Sequence, residues 1–265
     1  MILRRLVGRA LVRVLGPTIV RTYVRPLRFR GRRVAYDAGQ SWDARYSRAV
    51  ESGELDDATT MKRGHNPLRT RYHYNAVENA ILEALLDDPP PQGFRFLDIG
   101  SGAGHWLDFY RATLGAGEAV GVEISPAAAR TLRARYEGEG AVEIVVGDVA
   151  DPGFRLERSF DLVSAVGVLF HVVRDDAWRL AVANLAAHLA PNGRLLVAEQ
   201  VAALSLDVGF RQADELLVNK RVRSLRSWRA CAQAAGLELR TVAQVRKSRS
   251  LAMPVNRVLV LARPR

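Results

Sequence analysis

The chain of 265 residues holds one cysteine, Cys231, so no disulfide can close within it and no metal site can be built from several thiolates. Nothing in it calls for an oxidising compartment, and a reducing cytoplasm is the expected location. It also lacks an apolar run long enough to span a membrane, because arginines at 4, 5, 9 and 13 break the N-terminal stretch. The same breaks argue against a secretory signal peptide, whose apolar stretch should be clean. Residues 1–33 contain neither lysine nor acid, yet they contain ten arginines. With a net charge of +11 for the whole chain, subtracting those ten leaves about +1 for residues 34–265. The basicity belongs to an arm and not to the body.

Within that arm Arg5, Arg9 and Arg13 recur every four residues, while Ile2, Leu3, Leu6, Val7, Ala10, Leu11 and Val14 cover the other side of one helix. Gly16-Pro17 should end it. Such a helix can pack on the body with a solvated arginine face, lie on an anionic membrane surface, bind nucleic acid or serve as an organelle-targeting peptide.

Past the arm, 48% hydrophobic content over this length suffices for one α/β domain with a full core. Its organising stretch is Phe96-Leu97-Asp98-Ile99-Gly100-Ser101-Gly102-Ala103-Gly104-His105-Trp106. Phe94, Phe96, Leu97 and Ile99 read as a short buried strand, and glycine at every second position then forces a tight turn before the helical pattern Trp106, Leu107, Phe109, Tyr110, Leu114. Glycine is required where the backbone must turn sharply and a ligand must approach, and the N–H groups of the following helix face that ligand. The site is for a nucleotide-like molecule.

Further strands end in acids: Ala119–Val122 in Glu123, and Val142–Val146 in Gly147-Asp148. A fourth strand, Phe160–Val166, leads to Leu169-Phe170-His171-Val172, and a fifth runs from Arg194 to Glu199. Helical patterns at 126–137, 175–189 and 224–235 alternate with the strands, which implies a parallel sheet covered on both faces. Val77, Ala80, Ile81, Ala84 and Leu85 form a helical stripe ahead of the first strand, broken by Asp87-Asp88-Pro89-Pro90-Pro91. Strands at about 237–245 and 255–262, joined by a short basic loop, close the chain as a hairpin.

Over residues 76 to 200 these motifs, in this order, resemble the class I S-adenosylmethionine-dependent methyltransferases. The resemblance implies a doubly wound α/β fold with a mostly parallel seven-stranded sheet, one antiparallel C-terminal strand and S-adenosylmethionine as cofactor. It places the backbone of Gly100, Gly102 and Gly104 against the methionine and ribose, with Ser101 and His105 lining the loop and Asp98 favouring the ammonium or sulfonium charge. Glu123, with Ile124 beside it, is then the acceptor of both ribose hydroxyls, Asp148 accepts the adenine amino hydrogens, and Val149 lies at the ring face. Asp161 reads as structural.

Residues 34–75 are polar and aromatic, with Tyr36, Trp42, Tyr46, His65, Arg69, Arg71, Tyr72, His73 and Tyr74 and no long apolar period. In methyltransferases of this type such a segment commonly covers the acceptor. The chain therefore divides into a basic arm at 1–33, a substrate lid at 34–75 and the methyltransferase domain at 76–265. Residues 200–223 are too long for a simple connection and form a second candidate acceptor wall.

Methyl transfer from a sulfonium is an in-line substitution that needs alignment and a dry site, and for a hydroxyl acceptor a base helps. His171 follows the fourth strand where the methyl group should sit, His65 and His73 lie in the lid, Glu199 ends the fifth strand, and His188 is expected to be solvated on the far side. After the fourth strand the sequence reads Ala165-Val166-Gly167-Val168-Leu169, so the Asn/Asp-Pro-Pro-aromatic motif of amino-directed nucleic-acid enzymes is missing. Cys231 is far from where a cytosine C5 enzyme places its nucleophile, and no carboxylate set marks a metal-dependent enzyme. The expected activity is methylation, at oxygen, of a small, sugar-linked or lipid-linked acceptor. The alternatives are an RNA methyltransferase using the basic arm and a non-catalytic S-adenosylmethionine-binding module.

Overall fold

Asp37 opens helix α1 (Ala38–Glu51): its carboxylate accepts the Gln40 N–H at 3.0 Å and so satisfies a donor that a helix start leaves orphaned. The computed structural model describes residues 36–53, 55–57, 67–202, 206–210, 219–246 and 255–265; the arm 1–33 and His65 lie outside them. Helix α2 (Pro67–Leu85) buries Thr70, Tyr74, Val77, Ala80, Ile81 and Leu85 at steps of three to four residues. The stripe expected from Val77 onward thus continues back to Pro67, through residues that read in sequence as irregular lid. Interleaved arginines and histidines on the exposed side mask the period there.

The remaining elements are β1 (Arg95–Ile99), α3 (His105–Leu114), β2 (Glu118–Glu123), α4 (Pro126–Arg135), β3 (Val142–Val146), β4 (Phe160–Val166), α5 (Asp175–Ala187), β5 (Leu189–Ala202), β6 (Val208–Phe210), β7 (Lys220–Ser224), α6 (Leu225–Ala234), β8 (Glu238–Gln244) and β9 (Val255–Ala262), with a 3-10 turn at Leu169–His171 after β4. Strands run in the spatial order β3-β2-β1-β4-β5, all parallel, and β1 is flanked by Val120 of β2 and Val163 of β4 at Leu97. The order reverses between β1 and β4, and ligands of open α/β sheets bind at the carboxyl ends beside such a reversal. β9 is antiparallel to β5, with Leu195 opposite Leu261, and β8 pairs antiparallel with β9.

Seven strands were expected, and among the described residues the sheet has nine. The added pair is β6 and β7, antiparallel to each other, with β7 joined to the end of β5 at Val201 and Ala202. Both lie within 200–223, which was expected as a second candidate acceptor wall and not as strands, and which contains the basic run Lys220-Arg221-Val222-Arg223. Arg223 is instead fully buried: its guanidinium donates to the carbonyls of Val172 (2.9 Å), Arg174 (3.4 Å) and Leu169 (3.5 Å), bonds Asp175 at 3.1 Å, and stacks 4.3 Å from the Trp178 ring centre. One buried cation therefore ties β7 to the loop that carries His171.

Helices α2, α3 and α4 cover one face of the sheet, with Ile81, Tyr110 and Leu132 fully or almost fully buried. On the other face α5 and α6 meet through Trp178 and Trp228, whose rings lie edge to face at 4.9 Å. His188 is not solvated as expected: it is buried, Nδ1–H donates to the Asn184 carbonyl (2.7 Å), and Nε2 accepts the Leu156 N–H (2.8 Å). It pins the loop before β4 to the end of α5. Asp161 is structural as expected, accepting the Arg95 N–H at 2.8 Å. Among the described residues no helix is long and apolar enough to cross a membrane.

Candidate functional site

The glycine loop leaves β1 with Gly100, Gly102 and Gly104 all at positive φ (72°, 55° and 92°). A Cβ on Gly100 would lie 2.5 Å from Val168 Cγ2, and one on Gly104 would lie 2.8 Å from the Tyr136 hydroxyl, so side chains are excluded by space as well as by backbone angle. Gly104 stands at the N-cap of α3 and supplies no side-chain cap, which leaves the helix N–H groups to a ligand. Ser101 is buried and its hydroxyl donates to the Asp98 carbonyl at 3.3 Å, closing the loop on itself.

Asp98 is fully buried, and among the described residues neither carboxylate oxygen has a hydrogen-bond partner. Burial, reinforced by the nearby Glu123, pushes its pKa up to about 8. A buried acid without a partner is costly, and a cation is what it lacks. Glu123 is 2% exposed; Oε2 accepts the Gly102 N–H at 2.9 Å and Oε1 the Ser125 N–H at 3.0 Å. Burial raises its pKa against the pull of those donors. Each oxygen keeps a lone pair, the capacity that a vicinal diol needs. Asp148 is exposed at the end of β3, and its Oδ1 accepts the Ala150 N–H at 2.8 Å, leaving Oδ2 outward. Val149 is packed into the core, and Ile124 is half-buried under α1, where a Cβ on Gly39 would lie 3.5 Å from its Cδ1. An orphaned acid beside side-chain-free backbone and a diol acceptor at the next strand end fit the cofactor that the resemblance implies.

Helix α1 roofs this end of the sheet. Asp43 accepts the Ser125 hydroxyl at 2.6 Å and the Ala127 N–H at 3.4 Å, anchoring α1 to the start of α4. One turn on, Tyr46 is buried, and burial followed by the charge of Glu123 holds its phenol protonated. Trp42 stacks on Tyr46 at 5.4 Å and meets the His171 ring edge-on at 5.0 Å, so α1 spans both halves of the site. His171 is 8% exposed, and its Nδ1 lies 2.9 Å from the Asn219 carbonyl oxygen. A carbonyl can only accept, so Nδ1 carries the proton and Nε2 is the unprotonated nitrogen of the neutral ring. Burial, with Lys220 and Arg45 adding to it, lowers the pKa to about 3 against the opposing pull of Asn219. Phe170 lies 4.4 Å from the same ring.

His73 is half-buried on α2, edge-on to Tyr74 at 6.0 Å, and Tyr74 in turn faces His105 at 3.8 Å. Glu199 is 4% exposed, on the same sheet face as Trp228, with its pKa raised by burial to about 8. Sequence reasoning missed what holds His105: Asp57 Oδ2 at 2.9 Å from Nδ1 and Glu78 Oε1 at 2.7 Å from Nε2. Burial opposes protonation of this ring, but the two carboxylates outweigh it and raise its pKa. No local signal links residues so far apart in the chain, whereas Trp42, Asp43 and Tyr46 could have been found as one face of a helix. Among the described residues no group of three or more His, Cys, Asp or Glu side chains could hold a metal ion.

Residues 96–193 match the family model described as a methyltransferase domain. A search of curated proteins gave no match. Among solved structures, an S-adenosylmethionine-dependent methyltransferase from Clostridium acetobutylicum shares 10% identity, with 75% of this chain and 95% of that one covered and a TM-score of 0.57. The N-methyltransferase NodS of Bradyrhizobium japonicum, solved with S-adenosyl-L-homocysteine, shares 15% over 83% of this chain and 100% of its own, with a TM-score of 0.57. The 1,6-didemethyltoxoflavin-N1-methyltransferase of Burkholderia thailandensis shares 20% over 88% and 93%, also with a TM-score of 0.57. At these identities the likeness is one of fold, and it agrees with the strand order and with the matched segment. From β1 through the glycine loop to β5, the chain carries a class I S-adenosylmethionine-dependent methyltransferase domain.

Proposed function

We propose that the chain transfers the methyl group of S-adenosylmethionine to an oxygen of a small-molecule acceptor seated between α1 and the turn at Leu169–His171. In the donor half, Asp98 takes the ammonium end, the backbone at Gly100, Gly102 and Gly104 with Ser101 lies along the methionine and ribose, and Glu123 accepts the ribose hydroxyls. Ile124 and Val149 flank the adenine and Asp148 accepts its amino hydrogens. Bound there, the cofactor supplies an electrophilic methyl group that needs no further activation.

The observation that supports oxygen as the methylated atom is the fixed tautomer of His171, whose Nδ1–H is held by Asn219 so that Nε2 can only accept. A hydroxyl orients its lone pair toward the methyl carbon when its proton is bonded to such an acceptor. As the C–O bond forms, the hydroxyl becomes an oxonium, far more acidic than any imidazolium, so even a ring with a pKa of about 3 takes the proton and passes it to water. The charges acting on His171, Lys220 and Arg45, are both positive and disfavour a protonated amine as acceptor. Trp42, Tyr46 and Phe170 exclude water around it. His73, His65 and Glu199 are the alternative candidates for the base. The test is incubation with methyl-labelled S-adenosylmethionine and small-molecule extracts, with the product's methylated atom located by mass spectrometry. A label found only on nitrogen or carbon would contradict the oxygen assignment.

Ten arginines without an acid in residues 1–33 support a second role, attachment to an anionic surface, to which each basic side chain contributes about 1 kcal/mol. Deleting 1–33 should abolish co-sedimentation with anionic liposomes and leave cofactor affinity unchanged; persistent sedimentation would remove this reading.

A further inference from the structure

We infer that Tyr136 and Arg135, at the end of α4, are positioning residues for the cofactor: through the main chain of the glycine loop they aim the N–H of His105 at the carboxylate of its amino-acid end. This rests on the proposed placement of S-adenosylmethionine along that loop and adds what holds the loop ready for it.

Most N–H groups of the loop are engaged within the protein. Those of Gly100 and Ser101 donate to the Val122 carbonyl (2.7 and 3.3 Å), that of Gly102 to Glu123 Oε2 (2.9 Å) and that of Gly104 to the Ser101 carbonyl (2.8 Å). Among the described residues, the N–H groups of Ala103 and of His105, the first residue of α3, find no protein partner. The ammonium and carboxylate of the cofactor share one carbon, so an ammonium at Asp98 brings the carboxylate to this loop and to the mouth of α3, where main-chain donors favour an anion.

A trans peptide points its N–H opposite to its carbonyl, so whatever fixes the Gly104 carbonyl also fixes the His105 N–H. That carbonyl accepts the Asp108 N–H (3.1 Å), the bond that opens α3, and lies 3.2 Å from the Tyr136 hydroxyl. Tyr136 is buried, and its one proton serves both this carbonyl and Asp108 Oδ1 at 2.8 Å. Burial, followed by the bond to Asp108, raises its pKa, so the phenol remains a donor. Arg135 donates from one nitrogen to the Ala103 carbonyl and from another to Asp108. The fit leaves no slack: a Cβ on Gly104 would lie 2.8 Å from the Tyr136 hydroxyl, 2.9 Å from an Arg135 nitrogen and 3.0 Å from Leu132 Cδ2. Asp108 is the acid in the first turn of α3, where its charge opposes an incoming anion, and Arg135 offsets that charge.

The experiment compares binding of S-adenosylhomocysteine and of its decarboxylated analogue, which keeps the adenosine, the thioether and the ammonium, to the full chain. The wild type should bind S-adenosylhomocysteine at least about tenfold more tightly than the analogue, as expected for hydrogen bonds to a charged group. Tyr136→Phe keeps the ring and removes the hydroxyl; it should weaken S-adenosylhomocysteine about fivefold and the analogue less than about twofold, the size of one hydrogen bond's net contribution. Arg135→Met should act in the same direction and less, because both members of its ion pair are partly exposed. Arg111→Met, which breaks a 2.7 Å ion pair with Glu139 at the last turn of α3, should change neither affinity. Equal weakening of both ligands by Tyr136→Phe would make the contact merely structural and overturn the inference. So would equal wild-type affinity for the two ligands, or S-adenosylhomocysteine affinity unchanged in both Tyr136→Phe and Arg135→Met; each of these leaves the methyltransferase reading intact. Failure of the wild type to bind S-adenosylhomocysteine would overturn both.

Discussion

His171 and Asn219, 48 residues apart, are joined at 2.9 Å by a bond in which the imidazole Nδ1–H donates to a main-chain oxygen. Side-chain substitution at 219 leaves that acceptor in place, while Arg223, four residues on, holds the turn on both sides of His171 by its Leu169 and Val172 carbonyls. The orientation of the proposed base is thus set by β7 and the residue just before it, outside the seven strands expected from sequence.

Replacing His171 by Ala should lower turnover by more than about tenfold with cofactor affinity unchanged. Because its pKa falls from 6.5 to about 3, the ring stays neutral through the mildly acidic range and turnover should show no inflection from it there. The folded state holds this proton less well than the unfolded chain. Its contribution to stability is therefore full above 6.5 and is lost as the pH falls toward about 3. A pH–rate profile with an inflection near 6.5 that vanishes in the variant would contradict this assignment.

Asp98 and Glu199 run the other way. Burial lifts them from 3.8 and 4.5 to about 8, so between those limits the folded protein keeps protons that the unfolded chain has shed. Stability of the cofactor-free protein should decline as the pH rises through this window, and Asp98→Asn with Glu199→Gln should flatten the decline. Melting curves over a pH series check this, and an equal slope in the double variant would count against it.

His105 is expected to latch residues 55–57 to the glycine loop. Its folded pKa is raised above 6.5, so the latch is fully present below 6.5 and weakens as the pH rises through the raised value. His105→Asn should cost about 1 kcal/mol, given the partly exposed partners, and should speed hydrogen exchange of residues 55–57. Unchanged exchange would mean that the segment is held by other contacts.

Arg223→Met should destabilise by about 3–5 kcal/mol, because the carbonyls of Leu169, Val172 and Arg174 lose their charged donor and Asp175 loses a partner. Arg221→Met, which breaks the more exposed 3.0 Å pair with Asp175, should cost about 0–1 kcal/mol. Denaturant midpoints distinguish the two, and similar losses would contradict the view of Arg223 as the anchor of β7.

The strands from β1 to β5 were legible because each is a short apolar run ending in glycine or an acid, and because the loop glycines leave a pattern that no ordinary turn produces. The residues proposed for the donor half of the site lie on those strand ends. The acceptor half was less legible. Helix α2 hides its apolar stripe among Arg69, Arg71 and His73, and β7 is a run of cations whose buried member is held mostly by carbonyls, which carry no sequence signature. His188 misled for the same reason: both its partners are main-chain atoms.

The most direct measurement is titration of the purified full chain with S-adenosylhomocysteine, repeated for Glu123→Ala and Asp148→Ala. The diol and adenine assignments predict that the wild type binds, that NAD binds negligibly, and that each variant loses about 1–3 kcal/mol because polar groups of the ligand are left unpaired. Affinity unchanged in both variants would contradict the placement of the cofactor at the ends of β2 and β3.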